Sequence, residues 1–217
     1  LTKILDKGEL TLVDSMGSDL SVVRAARISN GAALPEWRGV ADEKLIRFLA
    51  EHGHMSPFEH ATFQFYVKCP IFVAREWQRH RTFSYNERSG RYKEFDTEFY
   101  EPATWRAPDP RNKQSSVDAD ELQWASKQYH EACQRAFMDY NGMIKMGVAR
   151  EMARMVLPVS TYTEFIVTGN FRNWMHFLEL RNSEEAQYEI RVYADAIASV
   201  LKEKMPISYS ALVNDAT

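Results

Sequence analysis

The segment from Thr62 to Lys68 alternates without a break, with Phe63, Phe65 and Val67 on one side and Thr62, Gln64, Tyr66 and Lys68 on the other. A period of two sustained over this length specifies a half-buried strand, because a helix would scatter the same apolar residues around its circumference. Pro70 follows almost at once. It is expected to open a helix running to about His80, since proline lacks the N–H that a first helical position cannot use. Whatever the chain folds into must therefore join a sheet to a helix with almost no linker.

The rest of the chain supplies more of both elements. Glu9 to Val13 alternates like a first strand, and Ser18 or Asp19 is placed to cap a helix carrying Leu20, Val22, Val23 and Ala26. A second helix is expected from about Asp42, with Leu45, Ile46, Phe48 and Leu49 on one face and His52-Gly53 ending it. Residues 107 to 118 hold Pro108, Pro110, Ser115 and Ser116 without periodicity and read as a mobile surface loop. From Asp118 onward a long amphipathic helix is expected, since Leu122, Ala125, Tyr129, Cys133, Phe137, Tyr140 and Ile144 recur at threes and fours. Helices at about 148 to 157, 170 to 181 and 184 to 204 and a strand near Thr161 to Val167 complete the pattern. Strands and helices mix without strict alternation. The expected class is α/β of the α+β type: one domain over residues 1–217, with a mixed central sheet and a helical C-terminal half.

Composition narrows the function. The 217 residues are 45% hydrophobic with a net charge of −3, ordinary for a soluble globular protein and unsuited to a generally basic nucleic-acid binder. Cys69 and Cys133 are too few for a disulfide framework or a thiolate zinc site, which suits a reducing cytoplasm. Lys3, Asp6, Lys7 and Glu9 break any secretory h-region, and no apolar run nears the ~20 residues of a membrane span, so neither export nor membrane insertion is expected. The chain begins at Leu1, and an initiator methionine is expected to precede it.

The glycines never fall in a G-x-G pair, so dinucleotide and phosphate-loop fingerprints are missing. His52, His54, Glu59 and His60 invite a metal reading. Ser56-Pro57 separates them onto a helix end, a turn and a new start, so residues lining a turn or an organic ligand are expected and no metal. The informative stretch is Arg75 to Arg91. Five arginines (75, 79, 81, 88 and 91) face only Glu76 and Glu87, a net +3 that leaves −6 for the remainder. Cations at a helix C-terminus complement its dipole, which accounts for one or two of them. Five, interleaved with Asn86, Ser89 and Gly90, make the donor set that a phosphate ester needs. Phe83, Tyr85 and Tyr92 offer faces for a planar heterocycle. An arginine-rich nucleotide or RNA-binding module without catalysis is the alternative, as are arginines that only make inter-subunit ion pairs.

Arg79-His80-Arg81 followed after seven residues by Ser89 resembles the signature of the flavin-dependent thymidylate synthases. The likeness extends to His52-Gly53-His54 with Ser56 to His60, Ala153-Arg154 with Val156-Leu157-Pro158, and Asn170-Phe171-Arg172 leading to Leu180-Arg181. It implies the thymidylate synthase-complementing protein fold. It also implies a homotetramer with shared active sites that converts dUMP to dTMP, using methylenetetrahydrofolate and NADPH as cosubstrates and FAD as cofactor. By the same resemblance, Ser56, Arg79, His80, Arg81, Asn86, Glu87, Asn170, Arg172 and His176 would hold FAD. Glu76, Arg79, Glu87, Arg88, Ser89, Gly90, Arg91, Arg154 and Arg181 would hold dUMP. His54 and Tyr92 would stack on the folate or flavin. Glu76 and His176 stand where the family varies.

The chemistry of the residues runs the same way. Uracil C5 becomes nucleophilic either when a thiolate adds at C6 or when a fixed cation stabilises charge on the N3–C4 amide. Cys69 falls at the strand-to-helix turn and Cys133 on an apolar helix face, so both are expected to be small buried residues. Arg181 suits the cationic role, although as the last residue of a helix it could equally be a C-terminal cap. Ser89 has no neighbouring general base and is expected to donate a hydrogen bond to phosphate or ribose.

Overall fold

The structure, a computed structural model, describes residues 1–29, 31, 34–113, 115–119 and 122–214. A five-stranded sheet has the order β1-β2-β3-β7-β4, with strands β1 (Thr2–Ile4), β2 (Gly8–Met16), β3 (Thr62–Pro70), β4 (Ser84–Glu87) and β7 (Tyr162–Asn170). Every pairing is antiparallel, so the sheet expected to be mixed is not. The α+β class stands. Strands β5 (Arg106–Pro108) and β6 (Ser116–Asp118) form a separate two-stranded hairpin. Residues 107 to 118 therefore contain ordered strands where a mobile loop is expected. Strands of three residues carry too little alternation to show.

Among the described residues, eight helices surround the sheet: α1 (Asp19–Ile28), α2 (Val40–Glu51), α3 (Ile71–Trp77), α4 (Trp124–Lys145), α5 (Arg150–Ala153), α6 (Phe171–Arg181), α7 (Tyr188–Lys204) and α8 (Pro206–Asn214). Ser18 is the cap of α1, and His52 with left-handed Gly53 ends α2 as expected. Pro70 closes β3 and occupies the N-cap of α3 instead of its first turn, and α3 stops at Trp77, short of His80. Helix α4 begins at Trp124, not near Asp118, which is the last residue of β6; residues 120 and 121 of the expected helix lie outside the described residues. The helix expected at 148 to 157 is the four-residue α5 followed by a 3-10 turn, Arg154–Val156.

The core lies on one face of the sheet. Phe63, Phe65 and Val67 of β3 and Phe165 and Val167 of β7 are buried, beneath Trp77 of α3, Trp174 and Phe177 of α6 and Tyr193 of α7. Burying each of the large rings stabilises the fold by roughly 2–3 kcal/mol against leaving it in water. Trp77 packs on Phe177 with centroids 4.5 Å apart, and Phe83 packs on Trp174 at 4.3 Å. The two aromatic contacts tie the C-terminal end of α3 and the entry to β4 onto α6. A second, smaller cluster of Phe99, Cys133 and Phe137 seats α4.

Phe83 takes its position because residue 169 has no side chain. A Cβ at Gly169 would lie 2.1 Å from Phe83 Cδ1. Gly169→Ala is therefore expected to destabilise the protein by about 1–3 kcal/mol, as overpacked cores do. Gly142→Ala, in α4 with nothing within 4 Å of the new methyl, should be neutral or stabilising by up to ~1 kcal/mol. Urea unfolding midpoints check both; a Gly169→Ala protein as stable as the parent contradicts the packing described.

Candidate functional site

The cationic stretch is folded into the end of α3, a tight turn, β4 and the loop beyond it. His80 N–H donates to Trp77 O, which reverses the chain, and the Tyr85 hydroxyl donates to the same carbonyl at 2.6 Å. The turn is thereby fixed to β4, and β4 to the sheet through Ser84↔Thr168 and Glu87↔Phe165. From the other side, Asn173 Nδ2 donates to Thr82 O at 3.0 Å. The Asn170 side chain accepts from Asn173 N–H and caps α6, so its amide serves the helix start.

At the far end of α6, Arg181 reaches the C-terminal end of α3. Its Nη1 donates to Glu76 Oε2 at 2.9 Å, Nη2 to Glu76 O at 3.4 Å, and Nε to His80 Nε2 at 3.1 Å. His80 is 7% exposed. Burial first, then the neighbouring Arg181 and His176, depress its pKa to about 4. The ring is therefore neutral at physiological pH, accepting on Nε2 with its proton on Nδ1. Burial raises the Glu76 carboxyl above its ordinary range, with Arg181 pulling it back.

The remaining arginines divide sharply. Arg88 turns inward, with Nη1 on Asp96 at 2.8 Å and Nη2 on Glu94 O at 2.6 Å, while its Nε is buried without a partner. Arg91 pairs with Glu151 at 3.1 Å and Arg172 with Glu59 at 2.6 Å. Arg75, Arg79, Arg81 and Arg154 are exposed, and among the described residues none of the four forms an ion pair. Glu87 accepts from Gln78 Nε2 at 3.0 Å and Thr163 Oγ1 at 2.7 Å. Ser89 Oγ accepts from Arg91 N–H, and Gly90 lets Phe95 approach to 2.4 Å from where its Cβ would stand.

Two cavities flank this arrangement. One, of about 1230 Å³, is lined by Met55, Glu59, Thr82, Asn170, Arg172, Asn173, Met175, His176 and Asn182. Its size, apolar walls, amides and an arginine in the first turn of α6 fit a large anionic cofactor with a planar ring system. The other, of about 320 Å³, is lined by Arg75, Gln78, Glu87, Arg88, Arg154 and Pro158. Its arginines, one with a buried unused Nε, fit a phosphate ester. Asn170, Arg172 and His176 are thus together in the first cavity, and Glu87, Arg88 and Arg154 in the second. His54, Ser56, Arg79, Arg81, Asn86, Arg91 and Tyr92 are exposed and line neither, and Glu76, His80, Ser89, Gly90 and Arg181 line neither as well. Thr82, Asn173 and Thr163 are not legible as site residues in the sequence, since each acts through a neighbour distant along the chain. Arg75 and Glu59 lie within motifs the sequence already marks. Glu59 is engaged by Arg172, and among the described residues no group of three or more His, Cys, Asp or Glu could hold a metal ion.

Comparison with known proteins agrees over nearly the whole chain. Residues 11–207 match the family described as thymidylate synthase complementing protein. The flavin-dependent thymidylate synthase of Kosmotoga olearia is 49% identical, covering 98% of this chain and 93% of its own. That of Thermus thermophilus is 49% identical over 96% of this chain and 76% of its own. Among solved structures, the UMP/dUMP methylase PolB from Streptomyces cacaoi, bound with 5-Br dUMP, superposes with a TM-score of 0.89 at 36% identity, covering 98% of this chain and 97% of that one.

The depressed pKa of His80 has a consequence for acid stability. The unfolded chain binds the His80 proton below its ordinary value of 6.5, while the folded protein resists it until about 4. Stability from this group is thus complete above pH 6.5 and is lost progressively as pH falls to 4, by about 3 kcal/mol in all. His80→Gln, which keeps an acceptor but cannot titrate, should flatten that part of the profile in denaturant unfolding between pH 7 and 4. Equal slopes for parent and variant would contradict a neutral buried imidazole.

Proposed function

The chain belongs to the thymidylate synthase complementing protein family, the flavin-dependent thymidylate synthases, and we propose the roles of its residues and the identity of its cosubstrates on that footing. It methylates dUMP to dTMP with the help of a flavin. The flavin is FAD, the one-carbon donor methylenetetrahydrofolate and the reductant NADPH. The observation that carries this most directly is Arg181, a cation held by Glu76 and a neutral His80 against the end of α3, the helix that also carries the unpaired Arg75 and leads into the unpaired Arg79.

Neither cysteine can drive the reaction by attack at C6. Cys69 is wholly buried, and burial pushes its thiol well above the ordinary value; Cys133 is buried against Ser160. Arg181 supplies the alternative. Its guanidinium stabilises negative charge on the uracil N3–C4 amide and so makes C5 enolate-like; always protonated, it moves no proton. The dUMP phosphate and sugar lie on Arg79, Glu87, Arg88, Ser89, Gly90, Arg91 and Arg154, with Arg88 acting from its anchored position. Glu76 and Arg181 complete the uracil end.

FAD is held by Asn170, Arg172 and His176 in the large cavity, with Ser56, Arg79, His80, Arg81, Asn86 and Glu87. When bound, it supplies the redox step and the passage of the one-carbon unit. His54 and Tyr92 cover the folate or flavin rings. The span 1–217 acts as one domain in a homotetramer with shared sites. Two observations support sharing: the large cavity and the arginine cavity carry different subsets of the FAD residues, and Met138, Met146, Met155 and Val159 are exposed. The protein works in the cytoplasm, consistent with two free buried cysteines and with no helix, among the described residues, long and apolar enough to cross a membrane.

Purified protein supplied with FAD, NADPH, methylenetetrahydrofolate and dUMP should form dTMP. Arg181→Ala should lower turnover by ~10²–10³-fold, as loss of a fixed charge stabiliser does, while keeping its flavin. Normal dTMP formation by that variant would refute the role given to Arg181. Arg172→Ala should weaken FAD binding roughly tenfold or more, since a charge-assisted bond to phosphate is lost. Its thermal midpoint should hardly move, because the Arg172–Glu59 pair is half exposed. Flavin retention on desalting and a melting curve read the two effects separately.

A further inference from the structure

Arg181 presents only part of its donor set. Of the five N–H groups on a guanidinium, three are taken: Nε by His80, one on Nη1 by the Glu76 carboxylate and one on Nη2 by the Glu76 carbonyl. A planar fork held at three points cannot rotate about its last side-chain bonds, so the other two N–H groups are fixed before any ligand arrives. All three acceptors come from the C-terminal end of α3 and the turn after it. That end is itself immobilised, by Trp77 against Phe177 at 4.5 Å and by the Tyr85 hydroxyl on Trp77 O.

The choice of acceptors matters as much as their number. A second carboxylate in place of His80 would overcompensate the cation and weaken the field available to a substrate. A neutral imidazole takes the Nε proton without adding charge, and at 4.9 Å from Phe177 its ring has little room to move. Glu76 is the one charged partner, and it sits on the same helix as the unpaired Arg75.

We propose that Glu76 and His80 are positioning residues for Arg181, acting on turnover by fixing the orientation of its guanidinium. This rests on Arg181 being the charge stabiliser of the methylation. It gives Glu76 a part beyond contact with dUMP, and the central histidine of the Arg79-His80-Arg81 run a duty beyond cofactor binding. The acceptor at residue 76 is what matters, so a glutamine, whose carbonyl oxygen can receive the same Nη1 proton, serves in place of the glutamate.

The test is steady-state kinetics on the flavin-loaded protein, with flavin content measured for each variant. Glu76→Ala should lower kcat about 10- to 100-fold, the cost of a misplaced catalytic group, with a smaller change in the KM for dUMP. Glu76→Gln should restore kcat to within about threefold of the parent, since it keeps the acceptor. The double variant Glu76→Ala/Arg181→Ala should be no slower than Arg181→Ala alone, because a positioning residue has nothing left to position. If Glu76→Ala does not fold, Glu76→Asp, one methylene shorter, should show the loss of kcat instead. Parent-like kcat in Glu76→Ala or Glu76→Asp, losses that multiply in the double variant, or an effect confined to KM would each overturn the proposal. Arg181→Ala with full turnover would instead remove the role of Arg181 on which it stands, so the two failures are distinct.

Discussion

The nine-pair ladder between β3 and β7 is the contact on which the rest of the structure depends. It runs from Thr62↔Asn170 to Pro70↔Tyr162, and a slip of one residue would turn Phe63, Phe65 and Val67 away from the core. Because the strands are antiparallel, their C-termini lie at opposite ends of the ladder. Pro70 launches α3 from one end and Asn170 launches α6 from the other. Both helices lay their aromatic residues on the same face, and they meet where Trp77 packs on Phe177. Glu76 and Arg181 come together there without any local sequence relation.

Electrostatics then separates the arginines by function. A chain with net charge −3 has acids to spare, and it uses Asp96, Glu164 and Glu151 to anchor the loop that carries Arg88 and Arg91. The arginines left without carboxylates are those an anionic ligand can use at least cost, since no existing pair must be broken. The burial that keeps His80 neutral also lets it serve Arg181 as an acceptor. Both thiols are buried, and the buried Cys69 is far from ionising, in keeping with the proposed cationic activation of the pyrimidine by Arg181.

Much of the fold is legible in the sequence because its signals are local. The Thr62 to Lys68 alternation, the Ser18 cap and the His52-Gly53 stop each act within a few residues, and each is found where the pattern puts it. What stays hidden is non-local or short. The first turn of helix α8 is satisfied from afar: Asp19 from α1 accepts from Ile207 N–H and Ser208 N–H across most of the chain. Strand β4 is four mostly polar residues that become a strand only beside β7. Pro70 does open a helix, but it is shared with the strand and so stands one position earlier than its N1 preference suggests. In the site, the arginine cluster is visible as composition. That Arg172 is spent on Glu59, and that Glu76 and His80 hold Arg181, depends on pairs about a hundred residues apart.

Flavin and dUMP are proposed to meet in one site built around the arginine segment and Arg181. Titrating the flavin-loaded protein with dUMP and following the flavin absorption spectrum tests it most directly. A saturable change in the spectrum, complete at one dUMP per flavin, is the predicted result. An unchanged flavin spectrum at dUMP concentrations shown by equilibrium dialysis to saturate the protein would contradict it.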